Sequence, residues 1–239
     1  MLSPTLEQTN ESTGRPSEDA APGTLLIVAH RQVTVPTAEC LFEMVGRGWP
    51  IAFVHGDADV GRARSKGASA WFRDESDDVF LMIDDDIVFR AEDAERVVQL
   101  ARATRSIAVG AYPVADGGHM ASRGWPGQAI HYHDNAEPVA IRWPAGGFMA
   151  VHRDVVAAMV ETLPLCYAGN SDAFWPMFQE FPYDDGNLTH YLSEDYAFGQ
   201  RAMDLGFKTY LDPRVKLVHL KVQPVWLGTM PNASREKPE

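Results

Sequence analysis

The chain has 239 residues, long enough for one domain with a substantial core and short for two. Its 33 Asp and Glu against 21 Lys and Arg leave a net charge of −12, which disfavours a protein whose affinity comes from neutralising nucleic-acid phosphates. No apolar run approaches the roughly 20 residues of a membrane helix and no basic-then-apolar signal layout opens the chain. Cys40 and Cys166 are too few for a disulfide framework, so a reducing, cytoplasmic setting is expected.

Residues 1–23 are mainly Ser, Thr, Glu and Pro with few large apolar side chains, so burial cannot offset their ordering entropy and a disordered tail is expected. Residues 228–239 read the same way. From Thr24 the pattern alternates. Leu25-Leu26-Ile27-Val28-Ala29 is a continuous apolar run, the form of a strand buried on both faces. Pro36 and Thr37 open a helix to Val45, and Ile51-Ala52-Phe53-Val54 makes a second strand ending at His55-Gly56-Asp57. A helix over 61–73 leads into a third strand, Val79-Phe80-Leu81-Met82-Ile83. Residues 92–104 read as an amphipathic helix before a strand at 107–110. This alternation predicts a parallel α/β sheet with right-handed crossovers. Ligands of such sheets bind beyond the carboxyl ends of the strands, where His30, Asp57 and the aspartates after Ile83 fall.

The second half is less regular. Gly117, Gly118, Gly124, Pro126, Gly127 and Pro138 predict loops and short hairpin strands over 112–140. Strands are expected at 139–143 and 148–152, then a helix to Thr162 capped by Asp154. Residues 163–192 read as a long surface excursion. A helix from Ser193 to before Gly206 carries Glu194 and Asp195 on its first turn, and strands at 207–211 and 215–220 follow.

Asp84-Asp85-Asp86 closes the apolar third strand. Three carboxylates at such a rim repel one another and lose hydration unless a cation or ligand offsets their charge, which predicts a metal and diphosphate site. The absence of a Walker A loop and of a GxGxxG motif argues against an ATPase or a dehydrogenase. His119, His131 and His133 have ligand-like spacing but lie in a loop-rich stretch without carboxylate support, and are expected to be surface residues.

Ile83-Asp84-Asp85-Asp86, Ala145-Gly146-Gly147-Phe148, Ser193-Glu194-Asp195 and the late His219 stand in the order of the DxD motif, glycine loop, xED motif and C-terminal histidine of GT-A fold, nucleotide-sugar-dependent glycosyltransferases, which the chain resembles over residues 24–220. The segment 191–219 is similar in particular to small standalone transferases of phage and bacterial genomes. The resemblance implies an α/β GT-A fold: a Rossmann-like, mostly parallel central sheet flanked by helices, with a smaller mixed acceptor-side half. It implies one domain over 24–227, divided into a nucleotide-binding half at 24–111 and an acceptor-side half at 112–227.

The site residues follow from the same likeness. Asp86, Asp84 and His219 are expected to hold Mn²⁺ or Mg²⁺ against the diphosphate of a nucleotide-sugar, UDP-linked by preference. His30, Asp57, Arg62, Arg64, Asp84 and Asp85 are expected around the nucleotide and sugar. Gly146 and Gly147, through close approach or positive φ, and Trp143, as a stacking surface with Tyr183 and Trp175, are expected near the sugar or acceptor. Asp195 is the expected general base, with Glu194 orienting the acceptor, a course that inverts the anomeric carbon. The acceptor is a hydroxyl compound, and nucleic acid enters only as a hydroxylated base in phage DNA. A metal-dependent nucleotide-sugar hydrolase or nucleotidyltransferase, or a non-catalytic nucleotide-sugar-binding module, are the competing readings.

Overall fold

A computed structural model describes residues 22–29, 32–75, 77–114, 119–169 and 172–220. His30, Gly117, Gly118 and both expected tails lie outside these residues, apart from Pro22 and Gly23. Gly23 is buried, and a Cβ there would come 2.7 Å from the Val79 carbonyl oxygen, so packed chain begins before the expected boundary.

In chain order the elements are β1 (Thr24–Ala29), α1 (Val35–Gly46), β2 (Ile51–His55), α2 (Val60–Asp74), β3 (Val79–Asp84), β4 (Ile87–Val88), α3 (Ala91–Thr104), β5 (Ile107–Ala111), β6 (Val139–Ile141), β7 (Phe148–His152), α4 (Arg153–Thr162), β8 (Cys166–Ala168), β9 (Asp172–Phe174), β10 (Phe181–Asp184), β11 (Thr189–Leu192), α5 (Glu194–Asp204), β12 (Thr209–Lys216) and β13 (Val218–His219). Seven strands form one sheet in the order β2-β1-β3-β7-β5-β12-β6. All run parallel except β7 and β6, which are antiparallel to their neighbours. This is the mostly parallel, Rossmann-like α/β sheet that the sequence predicts.

Period-two alternation divides the core between the two faces of the sheet. Leu25, Ile27, Leu81, Ile83 and Phe148 pack under α1 and α3 against Leu41, Met44 and Val97. Leu26, Met82, Met149 and Val151 pack on the other face against Ala68 of α2, Val155 of α4 and Phe198 of α5. Among the described residues no helix is long and apolar enough to cross a membrane.

The structure departs from the sequence reading in four places. First, the strand expected at 148–152, β7, breaks the parallel run: it lies between β3 and β5, antiparallel to both, with all five of its residues buried. Second, α4 starts two residues early: His152 rather than Asp154 is its cap, its Nδ1 accepting from the Asp154 N–H at 3.2 Å, so Asp154 lies inside the first turn. Third, residues 163–192 are not a surface excursion. They form two short hairpins, β8–β9 and β10–β11, and seat Met177, Phe178 and Leu192 in the interior. Fourth, the boundary between the two expected late strands moves: β12 runs from Thr209 through Lys216, with its register against β5 shifting between Leu211 and Lys216, and only Val218–His219 of the second stands apart as β13. Pro213, which cannot donate to a ladder, falls in that irregularity. Beside it the fully buried Asp212 carboxylate accepts from Arg214 at 2.7 and 2.6 Å.

Candidate active site

The apolar run of β3 ends where the sheet meets solvent, so Asp84 is its first polar residue and Asp85 and Asp86 form the turn to β4. Arg64 reaches this rim from α2 and is only 3% exposed. Its Nη2 donates to both carboxylate oxygens of Asp84, at 2.7 and 3.0 Å, and its Nη1 donates to Glu194 at 2.7 Å. Burial alone would push the guanidinium's pKa down, but Asp84, Glu194 and Asp195 together raise it above the ordinary value. Burial likewise pushes the Glu194 carboxyl up, against the opposing pull of Arg64. The Arg64 Nε is buried without a hydrogen-bond partner.

The backbone of 145–147 passes directly over this cluster. A Cβ on Gly146 would stand 2.4 Å from Arg64 Nη1, and one on Gly147 would stand 2.5 Å from Tyr112 Oη and 3.0 Å from Asp84 Oδ2. Neither glycine has positive φ. The pair is therefore required by close approach, to protein side chains, and the positive-φ alternative does not hold. The Gly147 N–H donates to Tyr112 Oη at 2.8 Å and the Gly146 N–H to Asp195 Oδ2 at 3.1 Å. Ser193, at the cap of α5, makes no capping hydrogen bond; its hydroxyl donates to Asp195 instead. Asp195 sits one residue beyond Glu194 in the first turn of α5, where exposed N–H groups favour a carboxylate.

His219 is carried to the same rim by β13, which pairs with β4. Its Nδ1 lies 3.0 Å from the Pro113 carbonyl, which can only accept, so Nδ1 carries a proton and Nε2 faces Asp86 Oδ2 at 3.4 Å. Tyr112 packs edge-on against this imidazole. An imidazole nitrogen and a carboxylate oxygen facing one another are donors that a divalent ion such as Mn²⁺ accepts, with positions left for phosphate oxygens. Among the described residues no group of three or more His, Cys, Asp or Glu is placed to hold a metal ion, and Asp84 is bound to Arg64.

The other residues expected at the site lie around this centre or away from it. Asp57, its side chain 8% exposed, pairs with Arg62 at 2.6 Å and Lys66 at 3.2 Å beyond the end of β2. The Arg62 hydrogen bonds hold its carboxyl well below the usual range. The Asp85 carbonyl accepts from the Thr34 N–H at 2.9 Å. Trp143 is buried, donates to Gln200 at 3.0 Å and stacks on Tyr196; Tyr183 meets it edge-on. Trp175 packs against Phe72 and the Arg73 guanidinium, in the support of α2. His119, His131 and His133 are exposed, as expected.

Two contributors escaped sequence reasoning. Tyr112 follows β5, so the strand-end rule that singled out Asp57 and the aspartates applies to it equally. Ser65 donates to the Gly61 carbonyl and accepts from the Phe178 N–H, both within 3.0 Å, which fixes residues 174–180 to α2. A cleft of about 600 Å³ opens there, lined by Arg62, Ser65, Phe174, Phe178, Glu180 and Glu194.

No protein-family model matches the chain, and no curated protein sequence does. The fold is similar to that of A197 from STIV, with 13% identity over 87% of this chain and 98% of that one, at a TM-score of 0.53. GalNAc-T7, solved with UDP, GalNAc and Mn²⁺, aligns at 12% identity over 90% of this chain and 46% of its own length, at a TM-score of 0.47. At these identities the likeness concerns the course of the backbone alone.

Proposed function

We propose that the protein is a metal-dependent glycosyltransferase of GT-A type that moves a sugar from a nucleotide-sugar, UDP-linked by preference, to a hydroxyl acceptor with inversion. The observation that carries this reading is the bridge made by Arg64, which ties Asp84 at the end of β3 to Glu194, 130 residues beyond Arg64 at the start of α5. It joins the acidic rim suited to a diphosphate to the carboxylates suited to proton transfer.

In this reading His30, Asp57 and Arg62 receive the nucleotide, Asp85 approaches the ribose or sugar, and the backbone of Gly146 and Gly147 floors the donor sugar. Asp86 and His219 would hold Mn²⁺ or Mg²⁺, with Asp84 beside them, and the ion supplies Lewis-acid stabilisation to the departing diphosphate. Asp195 takes the proton from the acceptor hydroxyl as its oxygen bonds to the anomeric carbon. On the opposite face the carbon–phosphate-oxygen bond breaks and its electron pair leaves with the nucleoside diphosphate. Glu194, set by Arg64, orients the acceptor.

A thermal-shift screen of nucleotide-sugars with and without Mn²⁺ finds the donor, since a ligand at 100 times its Kd raises stability by about 2.7 kcal/mol. Asp86→Ala is expected to remove the Mn²⁺-dependent part of that shift. Asp195→Asn is expected to keep donor binding and lower transfer by roughly 10²- to 10⁴-fold, read by product mass spectrometry. Release of free sugar alone would make the protein a hydrolase, and attachment of the nucleotide a nucleotidyltransferase. Binding and turnover both unmoved by Asp86→Ala would remove the catalytic reading.

A further inference from the structure

A second cleft, of about 460 Å³, opens on the other side of the α5 start, between residues 123–126 and the β11 strand. Its floor is the Trp143–Tyr196 stack, with ring centroids 5.4 Å apart and planes 24° from parallel. Its rim is formed by Trp125 and Tyr191, which are 45% and 72% exposed. The Tyr191 hydroxyl donates to Glu180 at 2.8 Å, yet both rings stay open to water and lose the burial that normally stabilises them, as happens at binding surfaces. Arg123, Arg142 and His190 line the cleft with N–H groups, and the Asp185 carboxylate holds the last two at 3.2 and 2.9 Å.

Two residues that line the cleft adjoin, along the chain, the residues that hold the proposed base. Tyr196 directly follows Asp195, and Trp143 lies three residues before Gly146, whose N–H holds the Asp195 carboxylate. We propose that this cleft binds a saccharide and is the acceptor subsite of the transfer, an inference that rests on the glycosyltransferase reading above for its role but not for its ligand. A pyranose offers a C–H face to stack on an aromatic ring and edge hydroxyls that accept from N–H donors, which is the combination lining this cleft. A nucleic-acid strand fits it less well. Arg142 is already paired with Asp185 at 3.2 Å, leaving little charge to neutralise phosphates.

The test is an array of neutral and acidic oligosaccharides probed with wild-type protein, Trp125→Ala and Trp125→Phe, alongside titration with oligo(dT) and with UDP plus Mn²⁺. Wild type is expected to bind at least one oligosaccharide, Trp125→Ala to bind it at least about tenfold more weakly, and Trp125→Phe to stay within about threefold, with UDP affinity the same in all three. Equal saccharide binding by Trp125→Ala overturns the proposal. So does saccharide binding absent while UDP binds normally, or oligo(dT) bound in preference to every saccharide. Saccharide binding that depends on Trp125, with no UDP binding, upholds the site and removes the transfer reading instead.

Discussion

Gly146 and Arg64 are matched by contact: the space a methyl group would need is filled by a guanidinium pinned between Asp84 and Glu194. The backbone at Gly146 suits any residue, so Gly146→Ala is expected to cost only about 1 to 2 kcal/mol in urea unfolding, while displacing Arg64 and lowering turnover far more than that loss explains. Asp57 gives a prediction on pH. Its carboxyl is held low in the fold by Arg62, so the stability it contributes is present above the unfolded aspartate value of about 3.9 and lost as pH falls below it. Asp57→Asn is therefore expected to lower Tm at pH 7, and the gap to wild type to narrow progressively in scans below pH 4. The position of Asp84, Asp85 and Asp86 at the sheet rim was legible because they end an apolar run, whereas Glu194, Asp195 and His219 were singled out together with them only through the order of motifs in the resemblance. The requirement for glycine at 146 was not legible in physical terms, since it arises from a side chain more than 80 residues away. Trp125 and Tyr191 were hidden for the related reason that exposure is a property of the folded surface.

Among the elements, the region from β8 to β11 shows where periodicity fails. Pro164, Pro176 and Pro182 interrupt every run of apolar residues, so no helix or strand signal builds up, yet Phe178 is fully buried and stacks on Phe198 with centroids 4.3 Å apart. Ser65 and Ser69 of α2 anchor the segment by accepting from the Phe178 and Trp175 N–H groups, a use of helix serines that composition does not reveal. Phe178→Ala is expected to destabilise the protein by about 3 to 5 kcal/mol in chemical denaturation, which an unpacked loop would not do. The α5 helix supplies a second contrast. Ala for Gly inside a helix normally stabilises by roughly 0.5 to 1 kcal/mol, but a Cβ on Gly199 would come 2.2 Å from the rigid ring of Pro144. Gly199→Ala should lower Tm, and a rise would show that the 144–147 backbone yields easily. The strands β1, β2, β3 and β5 were readable because their apolar runs are uninterrupted, with α1, α2 and α3 filling the segments between them. The place of β7 was not, because local pattern reports burial on both faces without naming the neighbours.

Over the whole molecule, the insertion of β7 between β3 and β5 means that neither half of the chain owns a complete sheet. Removing residues after 111 would leave β3 and β5 without the strand that joins them, and both core layers contain residues from each half. Calorimetry is accordingly expected to show one transition with equal calorimetric and van't Hoff enthalpies, whereas two resolved transitions would mean the halves fold separately. The meeting of Asp86 with His219 has a further consequence during synthesis. A nascent chain holds its aspartates early, but the His219 imidazole that faces Asp86 leaves the ribosome only after more than a hundred further residues. Premature termination before residue 219 is therefore expected to leave Asp86 without this neighbour.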